Sequence, residues 1–359
     1  MKRLLIFCFL YASGLALPTE PLFDSQPLVR VRVVNSLDTL NISTHANWVL
    51  DQDDLSADIK LNHRKIQVFK GSDRLIISDS SGVLVDSTES FFLDSRQAGG
   101  TLTISQVPFG VGWWWGGRED RIYEGRLHIY LDSAGDLCVT IHLPLETYLK
   151  GVVPYEIGGD SPLEALKAQA VAARSEAVIA LTSKLYSGEH HDLTSDVECQ
   201  VFSGNHKRTA LADQAVDETM ALVISEDGEP INAYYASNCG GHAELIENVW
   251  PTRPRPESYQ VAYPDNSKRT TLRLNRNWRF WWWLRSSPEV NCNPTFEPSL
   301  PSWSQKNFRW TRSFTHAEIS EMLSTGEDLG AFEKLEVIKR GVSGRIIKAR
   351  LIFENGDRL

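Results

Sequence analysis

Glu156 stands in the segment Gly151-Val152-Val153-Pro154-Tyr155-Glu156-Ile157-Gly158-Gly159, one carboxylate between an apolar run and a double glycine. A carboxyl packed among apolar groups holds its proton more tightly, because ionisation forfeits solvation, and a general acid working near neutral pH needs that property. A solvated loop carboxylate or a helix-end cap would place the same residue at the same spacing. Two more segments carry chemistry-bearing side chains beside glycine: Asp196-Val197-Glu198-Cys199-Gln200-Val201-Phe202-Ser203-Gly204 and Tyr234-Tyr235-Ala236-Ser237-Asn238-Cys239-Gly240-Gly241-His242. Glycine lets backbone amides approach a ligand, and Gln200, Ser237 and His242 are side chains that hydrogen-bond sugar hydroxyls or amides. The plain structural alternative is two loops tied by a Cys199–Cys239 disulfide.

His190, His191, Cys199, Cys239 and His242 offer zinc-type donors, but their spacing matches no recognisable zinc module. A Cys-His nucleophilic pair drawn from Cys199 or Cys239 with His242 competes poorly with disulfide formation in an exported protein. The tryptophans fall in two groups, Trp113-Trp114-Trp115 and Trp281-Trp282-Trp283, with Trp250, Trp278, Trp303 and Trp310 outside them. Indole faces stack on sugars, and they also pack domain interfaces.

The elements that must position these residues change type along the chain. From Leu28 to about Leu143 short β-branched runs alternate with polar residues, as in Val29, Val31 and Val33 between Arg30 and Arg32, and turn signals at Gly71-Ser72-Asp73, Ser80-Ser81-Gly82 and Gly99-Gly100 separate them. After Pro144, Leu145–Lys150 has helical spacing, and Gly151 is placed to end that short helix. Ser161-Pro162-Leu163-Glu164 reads as a capping box opening an alanine-rich helix through Leu181 that should be buried. Ala221–Ser225 and Pro230–Ala236 read as strands, Thr315 with Glu318 opens another helix, and Leu335–Lys339 pairs with Arg345–Phe353 before the hairpin turn Asn355-Gly356. The expected class is α+β: a β-rich region over 27–119, then a mixed domain over 120–359.

The chain has 359 residues, 42% hydrophobic and 23% charged, which excludes a disordered, collagen-like or membrane-embedded protein. Acidic residues outnumber basic ones 46 to 37, a formal charge of −9, so neither a nucleic-acid nor an anionic-membrane partner is expected. Lys2 and Arg3 before the apolar run Leu4–Leu10, with small residues at Gly14-Leu15-Ala16, read as a signal peptide over 1–16. No later stretch reaches the ~20 apolar residues a membrane helix needs. The expected product is exported, periplasmic or cell-wall associated, without an anchor, and Cys138, Cys199, Cys239 and Cys292 remain, allowing three complete pairings.

Leu145-Glu146-Thr147-Tyr148-Leu149-Lys150-Gly151-Val152-Val153-Pro154-Tyr155-Glu156, followed by Pro162–Arg174, Cys199–Gly204, Ala233–Ser237 and Gly240-Gly241-His242, resembles the SpoIID/LytB family over roughly residues 120–359. The resemblance implies a peptidoglycan-active protein, since SpoIID-like members are lytic transglycosylases acting on glycan strands stripped of stem peptides and LytB-like members are amidase enhancers. It places the catalytic acid at Glu156, and glycan-binding or orienting roles at Gln200, Tyr234, Ser237 and His242. Some members hold zinc with Cys and His just before the Cys-Gln-Val-Tyr motif. Thr194 and Glu198 stand at such positions here, so neither zinc nor another cofactor is expected. The family's glycine- and histidine-rich closing segment is absent, which together with the Asn355-Gly356 turn reads as a truncated domain. The implied partners are glycan strands and a cell-wall amidase.

Overall fold

The computed structural model describes residues 22–51, 59–88, 90–113, 115–250, 261–266, 268, 271–323 and 329–358. The expected signal peptide and Trp114 lie outside the described residues. The chain is α+β and packs as two units, the first ending at Tyr234 and the second beginning at Tyr235.

The first unit opens with twelve strands: β1 (Leu28–Leu37), β2 (Thr39–Thr44), β3 (Trp48–Asp51), β4 (Ile59–Lys60), β5 (Lys65–Lys70), β6 (Leu75–Asp79), β7 (Gly82–Thr88), β8 (Ser90–Ser95), β9 (Thr101–Phe109), β10 (Gly117–Glu124), β11 (Arg126–Leu131) and β12 (Leu137–Pro144). Helices α1 (Leu145–Ile157) and α2 (Leu163–Ser183) follow, then β13 (Leu193–Thr194), α3 (Ala210–Glu218) and the small ladder of β14 (Ser225–Glu226) with β15 (Glu229–Pro230).

A seven-stranded sheet runs β13-β1-β12-β11-β8-β3-β4 and a six-stranded sheet β10-β9-β2-β5-β6-β7. The period-two pattern does what alternation dictates. Val29, Val31 and Val33 are buried while Arg30 and Arg32 stay half-exposed, and Val29 and Val31 sit opposite Leu143 and Ile141 of β12. Because β1 is hydrogen-bonded to β12, residues from both sides of the expected boundary near 119 share one sheet, and a single apolar core runs through both sheets and α1 to α3.

The helices join this core through a buried ion pair. Arg174 of α2, 1% exposed, donates from Nε to Glu146 Oε1 at 2.9 Å and from Nη2 to Oε2 at 2.7 Å, and its Nη1 reaches the Leu222 carbonyl at 3.0 Å. Two desolvated charges are tolerated where the geometry is bidentate and the remaining donors are satisfied. The expected capping box at Ser161 does not form: the Ser161 hydroxyl donates back to the Ile157 carbonyl of α1 at 2.6 Å, and α2 starts at Leu163 with no side-chain cap. Ser161 therefore serves the end of the preceding helix.

The second unit holds α4 (Ile246–Val249), α5 (Asn277–Arg285), α6 (Ser302–Gln305), α7 (His316–Leu323) and an antiparallel sheet of β16 (Phe332–Arg340), β17 (Ile346–Phe353) and β18 (Gly356–Arg358). The box at α7 forms as its residues predict, with the Thr315 amide donating to Glu318 Oε2 at 2.7 Å and the Glu318 amide donating to Thr315 Oγ1 at 3.2 Å. Cys138, Cys199, Cys239 and Cys292 are all free thiols in the structure. Cys199 belongs to the first unit, where its sulfur accepts from the Thr194 amide at 3.5 Å, whereas Cys239 lies in the second with its sulfur 3.7 Å from that of Cys292. Asp265 joins this pair, the three ligand atoms lying within 4.8 Å of one another, so Cys239, Asp265 and Cys292 are the described residues grouped as a metal would require. The histidine and cysteine set proposed from sequence is divided between the units.

Two outcomes follow from this packing. Burial, helped by neighbouring cations, pushes His128, His142 and His191 down to about 4, so the folded chain keeps them neutral while the unfolded chain protonates near 6.5. Their contribution is complete above pH 6.5 and declines as pH falls toward 4, because the unfolded state then binds more protons. The urea midpoint should drop between about pH 7 and 5.5, a range in which ordinary carboxylates stay ionised; a flat or rising profile contradicts this burial. Non-reducing peptide mapping of the protein folded under oxidising conditions should recover a Cys239–Cys292 cross-link with Cys138 and Cys199 as thiols. A Cys199–Cys239 peptide would contradict the placement, and free Cys239 and Cys292 thiols that release zinc would give the pair to a metal.

Candidate functional site

The helix that begins at Leu145 does not stop at Gly151. It runs to Ile157, with Pro154 inside its last turns, and ends at Gly158, whose positive φ of 84° is one that glycine adopts without strain. Gly151 is small for another reason. A Cβ there would fall 2.5 Å from Phe202 Cε2 and 2.8 Å from the Gly204 carbonyl oxygen, so α1 and the turn 201–204 touch backbone to side chain at this point. The Ser203 amide donates to the Gly151 carbonyl at 3.3 Å across the same contact.

This seat places Glu156 on the last turn of α1, half-buried, beside the same turn. The Val201 amide donates to Glu156 Oε1 at 2.9 Å. An N–H from fixed backbone holds the carboxylate in one orientation without adding a titratable group. Tyr155, adjacent in the helix, lies under the Lys207 ammonium, which stands 4.1 Å from its ring centroid. Burial raises the Tyr155 phenol above its usual range, with Arg121, Glu119, Asp196 and Glu156 as the charges that act on it. The carboxylate thus sits in a mixed-charge, partly desolvated setting on a rigid helix end.

Arg121 went unread in the sequence, and it anchors the turn. At 1% exposure it donates from Nη1 to the Phe202 carbonyl at 3.1 Å and from Nε to Glu119 Oε1 at 2.9 Å. An arginine in the middle of a strand, among the charged run Arg118-Glu119-Asp120-Arg121, gives no sign in the sequence of which charge turns inward. Trp113, 54% exposed, lines a cavity of about 250 Å³ with Arg32, Asp196 and Glu198, and the Val111 amide ties this loop to Asp196 Oδ2 at 3.3 Å.

The remaining expected binding residues fall differently. Gln200 is 3% exposed; its Oε1 accepts from the Tyr148 hydroxyl at 3.0 Å and its Nε2 donates to the Ala173 carbonyl at 3.2 Å, linking α1, α2 and the site turn. Gln200 is thereby held next to Val201, whose amide reaches Glu156. Tyr234, half-buried, closes the first unit, and Ser237, exposed, belongs to the second. His242, also in the second unit, is 1% exposed, with Nδ1 2.7 Å from the Ala243 carbonyl oxygen and Nε2 2.6 Å from that of Leu272. Both ring nitrogens face backbone carbonyls, and an N–H on either one fastens the segment next to Gly240-Gly241. Of the expected set, Glu156 and Gln200 are brought to one turn.

Residues 133–225 match the family described as stage II sporulation protein SpoIID, a span that holds both Glu156 and the turn that grips it. An uncharacterised protein of Brachyspira hyodysenteriae is 37% identical over 128 residues, 36% of this chain and 34% of that one. The amidase enhancer of Bacillus subtilis is 36% identical over 102 residues, 28% of this chain and 13% of the relative, and its stage II sporulation protein D is 30% identical over 234 residues, 59% and 57% of the two. The chain thus spans between an eighth and about three-fifths of the length of these relatives. Through the segment that builds this site, the chain is similar to the SpoIID/LytB family.

Proposed function

We propose that this protein remodels the cell wall by lytic transglycosylation of peptidoglycan strands freed of their stem peptides, with Glu156 as the single acid and base. The observation that carries the reading is the half-buried Glu156 carboxyl, held by the Val201 amide at the end of α1. Protonated, Glu156 donates to the glycosidic oxygen as the bond from C1 of N-acetylmuramic acid breaks. The carboxylate left behind accepts the proton of the C6 hydroxyl as O6 closes on C1, forming a 1,6-anhydro sugar and restoring the acid. No water is consumed, so a second carboxylate to activate one is not required, in contrast with the paired-carboxylate hydrolases. Trp113 in the cavity lined by Asp196 offers an indole to the pyranose faces of a strand. An exported location, periplasmic or at the wall, follows from the same reading. None of the helices among the described residues is long and apolar enough to cross a membrane.

The similarity to an amidase enhancer supports a second reading, in which the same surface binds glycan and stimulates a separate amidase without turnover. Glu156→Gln separates the two, because it keeps the shape and the Val201 contact but removes the transferable proton. With denuded strands as substrate, the unmodified protein should generate 1,6-anhydro ends by mass spectrometry, and the variant should lose about 10²–10⁴-fold in rate while still cosedimenting with the strands. Equal activity in both proteins removes Glu156 from the chemistry; intact strands with both proteins folded, and amidase stimulation retained in both, favour the enhancer.

A further inference from the structure

Helix α5 presents two chemically different faces. Inward, Trp283 is 6% exposed, donates from Nε1 to the Gly240 carbonyl at 3.3 Å and packs with Leu274, Val290 and Phe308, while Phe280 lies under the Arg340 guanidinium at 4.2 Å. Outward, Trp278, Trp281 and Trp282 recur at i, i+3 and i+4, which is one side of a helix, and they are 65%, 47% and 59% exposed. Three indoles on one open helical face form an apolar patch that a soluble surface does not ordinarily carry.

The charges around them have one sign. Between Thr271 and Arg285 the chain has Arg273, Arg276, Arg279 and Arg285 and no acidic residue, within a protein whose formal charge is −9. Arg279 stands over the Trp278 ring at 5.2 Å and Arg285 over that of Trp281 at 5.4 Å, so guanidinium and indole are paired on the exposed side.

We propose that this face of α5 docks on the headgroup layer of an anionic lipid membrane. Indole has an apolar body and a polar N–H, and it concentrates at the depth where acyl chains meet headgroups. Arginine beside it meets lipid phosphate, and the nearby ring lowers the cost of bringing the charge to that depth. The nine residues of α5 rise only about 13 Å, too short to span a bilayer, and suit a helix lying flat in the interface. A glycan strand would instead need open indole faces, and two of the three rings already carry a guanidinium. The face is built from residues unrelated to the Glu156 carboxylate, so its docking stands or falls separately from the chemistry at that site.

The test is flotation of the full exported protein with vesicles of phosphatidylcholine alone and of equal phosphatidylglycerol and phosphatidylcholine. The protein should float with the anionic vesicles, release as salt is raised, and show blue-shifted tryptophan fluorescence. The combined variant Trp278→Ser, Trp281→Ser, Trp282→Ser, verified as folded by circular dichroism, should lose about tenfold or more in partition, and Arg279→Gln with Arg285→Gln should lose the preference for anionic lipid. Absence of flotation, or flotation unchanged in the tryptophan variant, overturns the proposal. So does finding that the three tryptophans are needed for binding denuded glycan strands or for self-association instead of for vesicles.

Discussion

The close seat of α1 on the turn 201–204 is the constraint on which the candidate site depends. A hydrogen at position 151 in place of a methyl group lets Phe202 and the Gly204 carbonyl approach the helix backbone. Five residues further along the helix, that approach brings the Val201 amide to Glu156. The carboxylate is oriented by packing distance and by one backbone donor, and both are fixed before any substrate arrives. Preorganisation of this kind is what the proposed role of Glu156 as both acid and base would draw on.

The seat is held from behind by buried polar groups that reach across to other parts of the protein. Arg174 clamps Glu146 and so joins α2 to α1, Arg121 grips the Phe202 carbonyl, and Gln200 bridges Tyr148 and Ala173. Each of these groups would be costly to bury alone, and each finds its partner in a different element. The result is that the strand layer, both helices and the turn share one core, and Glu156 inherits its rigidity. The second unit has its own fastening, in which Arg345 donates to the carbonyls of His242 and Cys239 around the double glycine.

How much of this was legible follows from what each signal physically reports. Alternation at Val29, Val31 and Val33 reports a half-buried strand directly, and it was readable, as was the reciprocal cap at Thr315 and Glu318. Glycine at 151 and serine at 161 were misread because local propensity assigns them to helix termini, whereas their places are decided by contacts with Phe202 and with the Ile157 carbonyl. Gln200 and His242 are of types that bind ligands, and their burial beside Tyr148, Ala173 and Leu272 could not be read from residue type. The partner of Cys239 was out of reach, since four cysteines allow three complete pairings and the chain path chooses among them. The motif singled out Glu156 as a candidate; its grip by Val201 could not be read, because the two are 45 residues apart.

The most direct measurement is a crystal structure of the Glu156→Gln protein with a denuded tetrasaccharide of alternating N-acetylglucosamine and N-acetylmuramic acid. The account predicts that the substituted side chain at position 156 keeps the Val201 amide contact and lies within about 3.2 Å of a glycosidic oxygen, with the strand running toward Trp113. A strand bound elsewhere in the first unit, with the residue at 156 turned away from every glycosidic oxygen, would contradict it.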